Sequence, residues 1–542
     1  MKKYFLQNKF LLFCQIAVTL MFSASVSILP LIIGSFIENF ASLNITEIAY
    51  YAAAFVLGVG FILLFEYLQK ICYARFYKKL MLSLKNDLFG KIYDMTFSDY
   101  YSKNTDYYIN LFIEDAKTLY SSYFDIVVAL IISIVSLAVY SAVVFYLNWI
   151  MALAIIATAL LSLLIPKLTG KKLSQKRLEK SDANRDYIGK LKDLLAGFTA
   201  NNLRTAQQFK NEHNKTNLRT EEISYSYRKY NSFVEIFGGL SLYIMNIVVF
   251  VTGMILINAQ LLKISELVVL ISFTDIMVLP IRDIIFQIIE LKSSTGIKNK
   301  LQKVLNYSPK APDALTEFSH SIELVNINYE IEQFTLSIPS LVFNKGKKYA
   351  IVGKSGSGKT TLLKIIMGQY ENYAGNVTID GKNAKDMDLS GVISEIGQNA
   401  YIFNGSAEEN ITLFGSYSNN NLSEYIEKIK AQKIIRQDLG EFGKNISGGE
   451  RNKISILRAI CKGCKVLVCD EMFSSLDEAS KRDIADFLFS DNSLTVISVT
   501  HDISPDSLAY YDEVIVINNG AIIEIFDKNS LDNAKIFALL KN

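Results

Sequence analysis

The chain has 542 residues, half of them hydrophobic and only 20% charged. That balance excludes an intrinsically disordered chain and argues against a protein that is soluble along its whole length. The 56 Lys and Arg nearly cancel the 53 Asp and Glu, leaving a net charge of +3, so no basic surplus points to nucleic acid. Five cysteines are too few for a disulfide scaffold, and reduced thiols are expected.

The average conceals a split. Charge-free runs cover Phe10–Ile37, Ile48–Phe65, Ile126–Pro166 and Ile236–Leu262, and none follows Ser321. A helix needs about 20 apolar residues to cross the hydrocarbon core. The third run is long enough for two helices, with Asn148-Trp149 as the polar turn between them. A weaker segment near 264–290 carries Asp275, Arg282 and Asp283. Residues 1–291 are thus predicted to form an all-α transmembrane domain with six helices, at about 10–37, 46–70, 124–147, 149–169, 233–260 and 264–290. Ser23-Ala24-Ser25 resembles a signal-peptide cleavage site, but the apolar run continues to Ile37 and reads as a crossing.

Positive charge orients the helices. Loop 38–47 has no Lys or Arg, whereas loop 71–123 has seven and loop 168–232 has fourteen. The two long loops are therefore expected in the cytoplasm, together with everything after the sixth helix. Both are rich in helix formers and should extend the membrane helices, turning near Ser98–Tyr108 and Ala196–Leu203. Residues 292–320 read as a linker.

The second half, 321–542, reads as an α/β phosphate-binding domain. Gly353-Lys354-Ser355-Gly356-Ser357-Gly358-Lys359-Thr360 fits G-x-x-x-x-G-K-[ST] in full, between an apolar strand (Tyr349–Val352) and a helix opening at Thr361. Glycines let backbone N–H groups turn around phosphate oxygens. Lys359 can reach the β- and γ-phosphates of ATP, and the Thr360 hydroxyl can ligate Mg²⁺. Val466–Cys469 reads as a buried strand ending in Asp470-Glu471. Asp470 suits the Mg²⁺ shell, and Glu471 is placed to orient or deprotonate the attacking water.

With these motifs in place, residues 321–542 resemble the nucleotide-binding domain of an ABC transporter. Ile446-Ser447-Gly448-Gly449-Glu450 stands where the family has its signature, with glutamate in place of the usual glutamine. Gln398 resembles the Q-loop glutamine, Ser474-Ser475-Leu476-Asp477 the D-loop, His501 the switch histidine, and Tyr329 the aromatic that stacks on adenine. The resemblance implies that Gln398 contacts Mg²⁺ and water. It also implies that Ser447, Gly448 and Gly449 contact the γ-phosphate bound by a partner chain. Six helices, two long inner loops and a C-terminal ATPase resemble an exporter-type half-transporter. That family works as a dimer with two sandwiched ATP molecules, the inner-loop turns acting as coupling helices. Glu471 and His501 are both present, which favours a second copy of this chain as partner over a paralogous half-transporter.

The implied function is ATP-driven efflux of a peptide or amphipathic small molecule across a bacterial cytoplasmic membrane. An ATP-gated channel or sensor is the alternative from another class. Gln398 and Ser447 are only 49 residues apart, so a trimmed helical subdomain is expected. Asp275, at membrane depth in the sixth helix, is a candidate contact for a cationic group on the cargo. Glu235, Asp125, Asp283 and Glu290 are read as lying at cytoplasmic helix ends. His213 and His320 are read as solvated loop or linker residues, and Cys461-x-x-Cys464 as too isolated for a zinc site. The aromatics of the membrane half read either as core and interface packing or as an adaptable lining for amphipathic cargo.

Overall fold

A computed structural model describes residues 1–541 except 163, 309–312, 332–333, 398–399, 418–420 and 475. The side chains of 160–168, 174, 238, 241–242, 289, 292–293 and 541 are likewise outside the described set. The chain divides into two compact units: Met1–Asp94 with Asn104–Tyr307, and Met95–Lys103 with Ser308–Asn542.

Among its described residues, the regular elements of the first unit are all helices. Its long helices are Lys9–Asn39, Ile45–Tyr93, Asp125–Leu147, Leu164–Ala196, Ala206–Asn258 and Ile264–Ser293, with Trp149–Ser162 between the third and fourth. Among the described residues, four helical stretches are long and apolar enough to cross a membrane: Lys9–Ser42, Ile45–Tyr93, Thr105–Leu147 and Ile264–Ile288. The stretches expected at 149–169 and 233–260 contain shorter apolar helices, Trp149–Ala159 and Tyr243–Asn258. Part of the 149–169 stretch lies outside the described residues. The long helices carry their charged ends well beyond the apolar windows, which is why the loops expected at 71–123 and 168–232 are mostly helix. Asn44 starts one of them with a capping box, accepting from Glu47 N–H while Glu47 accepts from Asn44 N–H. The chain turns at the 3₁₀ element Gly197–Ala200, while the short helix Phe97–Tyr101 belongs to the second unit.

The first long helix is built inside out relative to a helix in water. Its buried residues are Gln15, Thr19, Ser23, Ser25, Ser27, Pro30 and Gly34, most of them small or polar. Its exposed face carries Phe10, Phe13, Leu20, Met21, Ile28 and Ile37. In hydrocarbon apolar side chains gain nothing by burial, whereas small and hydroxylated residues gain close packing and interhelical hydrogen bonds. Those bonds are present. Ser23 donates to Ser136 Oγ at 2.9 Å, Gln69 to Thr19 Oγ1 at 2.9 Å, and Gln287 to Ser133 Oγ at 3.3 Å.

The segment expected to be a plain linker, 292–320, holds a helix at Thr295–Leu305 with Leu301 and Val304 buried. Asp313–Ala314 then pairs with Met387–Asp388 as a two-stranded ribbon. His213 is not in a loop: it sits on the Ala206–Asn258 helix, its Nε2 3.0 Å from the Tyr187 hydroxyl.

The second unit is organised by a ten-stranded sheet. Its parallel part runs in the order Glu513–Asn518, Lys348–Gly353, Thr495–Val499, Val466–Asp470 and Ile393–Ile396. The strands Lys348–Gly353 and Thr495–Val499 are buried at every position, as expected where both faces are covered. Successive side chains go to opposite faces. Tyr349 and Ile351 join Leu362, Ile497 and Ile515, while Ala350 and Val352 join Leu508, Tyr511 and Phe526 on the other side. An antiparallel group, Ser321–Ile331, Phe334–Asn344 and Ala374–Ile379, extends the sheet.

Asp380 pins the entry into this sheet. Its carboxylate accepts from Ser319, His320 and Ser321 N–H at 2.6, 2.7 and 3.0 Å. Burial pushes its pKa up, but the three N–H bonds outweigh that and hold it below the usual carboxylate range. A lowered folded-state pKa contributes stability above the unfolded value and loses it as pH falls through the folded one. Asp380→Asn is therefore expected to lower the melting temperature of the protein at neutral pH. The gap from wild type should shrink as pH falls through the carboxylate range, measured by a thermal melt series.

Candidate ATP site

Sheet register places the phosphate loop and the acidic pair together. Val499 is in register with Ile351 on one neighbour and with Asp470 on the other. Gly353 and Asp470 thus both emerge at the carboxyl ends of the two parallel strands that flank Thr495–Val499, where ligands bind in open α/β sheets. The loop 353–358 leads straight into the helix Lys359–Ile366. Gly356 and Gly358 have φ of +81° and +100°, values that side chains resist, so the loop's curl depends on them.

Lys359 is only 6% exposed, and its ammonium donates to the carbonyls of Gly353 at 2.9 Å and Lys354 at 2.8 Å. Burial lowers its pKa, against the pull of Glu471 and Asp470. The Thr360 hydroxyl donates to Asp470 Oδ2 at 2.9 Å. These are hard oxygen donors side by side, the kind of pair that Mg²⁺ prefers. Ser355, Gly356 and Ser357 line the loop between them, and Thr361 follows in the first helical turn.

Glu471 adopts φ +54°, which is uncommon for a residue with a side chain. Its N–H donates to Val499 O at 3.1 Å, so the strained conformation is held by the neighbouring strand. His501 Nε2 lies 2.9 Å from Glu471 Oε1. Two side-chain pairs, Thr360–Asp470 and Glu471–His501, thus sit at the carboxyl ends of the strands, with the Lys359 ammonium within electrostatic reach of both carboxylates. A cavity of about 650 Å³ opens beside Glu471 and His501, walled by Phe473, Lys481, Arg482 and Tyr510. Gln398 and Ser475 lie outside the described residues.

Tyr329 stacks on Tyr370, ring centroids 5.2 Å apart and planes 20° off parallel. Ser447 is the N-cap of the helix Gly448–Cys461 and forms a capping box with Glu450. The pattern Ser-x-x-Glu ahead of an apolar helix announces such a box, yet the glutamate reads from sequence only as a departure from glutamine. Arg458, on the same helix, donates from Nε to Asn410 O at 2.9 Å and from a terminal nitrogen to Tyr401 O at 3.1 Å. It ties the signature helix to the segment after Gln398, a link that no short motif encodes. The thiols of Cys461 and Cys464 are pushed up by burial.

In the first unit, Asp275 is exposed and accepts from Asn246 Nδ2 at 3.1 Å. Asn246 is 29 positions away in sequence, so spacing could not reveal the pair.

These features define a P-loop ATP-binding domain fused to a helical membrane domain. Residues 336–474 match the family model described as ABC transporter, and residues 10–281 match the one described as ABC transporter transmembrane region. The chain belongs to the ABC transporter family and has the arrangement of an exporter-type half-transporter, with the nucleotide-binding domain C-terminal. It is 30% identical over 303 residues to the lacticin-481/lactococcin-DR transport/processing ATP-binding protein lcnDR3 of Lactococcus lactis subsp. lactis. That match covers 52% of this chain and 42% of the relative. It is 28% identical over 281 residues to an ATP-dependent lipid A-core flippase of Saccharophagus degradans, covering 48% of this chain and 44% of that one. The chain thus spans less than half the length of these relatives. A solved structure titled as a bacterial Atm1-family ABC exporter with ATP bound aligns over 97% of both chains, with a TM-score of 0.82 and 16% identity. That likeness establishes the fold.

Proposed function

We propose that this chain is half of an ATP-driven exporter that works as a homodimer in a bacterial cytoplasmic membrane, with its ATPase domain in the cytoplasm. The carrying observation is that the Thr360–Asp470 and Glu471–His501 pairs and the buried Lys359 ammonium gather at the end of the phosphate loop, on the same chain as a helical membrane domain. Lys359 and the loop N–H groups bind the triphosphate, and Tyr329 takes the adenine. Thr360 and Asp470, with Gln398, hold Mg²⁺, which neutralises charge on the phosphates when bound. Glu471 accepts the proton of the attacking water, and His501 fixes the Glu471 carboxylate. Ser447, Gly448 and Gly449 present a helix N-terminus to the γ-phosphate bound by the other copy. Closure of the two ATPase domains opens the membrane cavity outward, and hydrolysis resets it.

The cargo proposed is a peptide or a cationic amphiphile. Asp275 supplies the charge, held in place by Asn246. The name of the lactococcal relative speaks of transport and processing of lacticin-481 and lactococcin-DR.

The test is ATP-dependent uptake of a fluorescent cationic amphipathic peptide into inside-out vesicles holding the protein. Uptake against a gradient supports export; ATP hydrolysis without accumulation favours the channel or sensor. An inert lone chain points to a paralogous partner. Asp275→Asn is expected to weaken stimulation of the ATPase by the cationic peptide about five- to tenfold relative to stimulation by a neutral amphiphile, the worth of one partly screened charge pair. Equal loss for both ligands would remove Asp275 from cargo recognition.

A further inference from the structure

The signature turn carries a charge whose position matters for the proposed ATP sandwich. Glu450 Oε2 accepts from Ser447 N–H at 2.8 Å and from the Ser447 hydroxyl at 3.0 Å, while Ser447 Oγ accepts from Glu450 N–H at 3.3 Å. A carboxylate is an acceptor only, so the one hydroxyl proton of Ser447 is committed to Glu450. The same carboxylate sits in the first turn of a 14-residue helix and offsets the partial positive charge of its N-terminus. Both resources, the hydroxyl proton and the helix dipole, are those the exporter reading assigns to the γ-phosphate of the partner's nucleotide.

We infer that Glu450 is a positioning residue that sets the ATP threshold for closure. It holds Ser447 in the capped conformation and must yield the hydroxyl before the signature can bind phosphate. Like charge between carboxylate and phosphate adds to the cost. This rests on the proposed export function. An identical box forms at Ser406 and Glu409, where the carboxylate accepts from Ser406 N–H at 2.8 Å and from its hydroxyl at 3.1 Å. That helix is an ordinary six-residue element, so the geometry by itself is a helix cap. The difference at Ser447 is the functional demand placed on the same two groups.

Glutamine separates the two roles, because its Oε1 can accept the same bonds without the charge. The experiment uses the full chain in lipid nanodiscs, with ATPase rate measured against MgATP concentration at low and high salt for wild type, Glu450→Gln and Glu450→Ala. At low salt, Glu450→Gln is expected to lower KM for ATP about three- to tenfold with kcat within about twofold, the scale of one first-turn charge. The gap should narrow as salt screens the charge. Glu450→Ala, which loses the cap, should recover only part of the gain. A KM in Glu450→Gln equal to or above wild type at low salt overturns the inference and leaves Glu450 as a cap. A wild type that neither binds nor hydrolyses MgATP sinks the export reading, and the inference with it.

Discussion

Glu471→Gln is expected to abolish steady-state ATP hydrolysis, with kcat lower by about three orders of magnitude, mid-range for loss of a positioned general base. Glutamine matches glutamate in size and can keep the 2.9 Å contact to His501, so the strand edge retains its shape. What it loses is the ability to take a proton. The backbone of Glu471 is already held in a left-handed conformation by its bond to Val499, and the substitution does not touch that bond. ATP binding should therefore persist, because Lys359, Thr360 and Asp470 are unchanged. Phosphate release and filter retention of labelled ATP, measured on the same preparation, give the two readouts. Loss of both would mean that Glu471 shapes the pocket. Retention of more than a tenth of the activity would move the base elsewhere.

The ATP site was legible because its chemistry is local in sequence. A phosphate loop must be glycine-rich and must open a helix, so eight consecutive residues announced it. Asp470 and Glu471 were legible because a buried parallel strand reads as an apolar run ending in charge. The membrane half was legible for a similar reason, since hydrocarbon demands long apolar stretches. What stayed hidden depends on contacts between distant segments. The polar buried face of Gln15, Thr19 and Ser23 is invisible to a mean hydropathy, which records how apolar the Lys9–Asn39 helix is and not which face is covered. The Asn246–Asp275 pair, the Tyr329–Tyr370 stack and the Arg458 clamp join segments that no spacing rule relates. Glu450 is visible in the sequence as a departure from glutamine, and its spacing from Ser447 also fits the cap that the fold shows.

Lys359→Ala should separate binding from folding more sharply than any other change in the loop. Its ammonium is buried, and burial disfavours the charged form, as the lowered pKa indicates. Among the described residues its hydrogen bonds go to two carbonyls of its own loop. The charge is thus maintained at some cost to the folded state, and removing it is expected to leave the melting temperature within about 2 °C of wild type, the small effect of a near-neutral substitution in a chain of this size. Nucleotide affinity behaves oppositely. Two charge-assisted bonds to phosphate oxygens are worth about 1.5–3 kcal/mol each, so ATP should bind about 10²- to 10⁴-fold more weakly. The check is a thermal melt with and without saturating MgATP. Wild type should gain several degrees on adding nucleotide, and the variant none. If the variant instead melts far below wild type without nucleotide, Lys359 holds the loop together, and its burial is structural before it is functional.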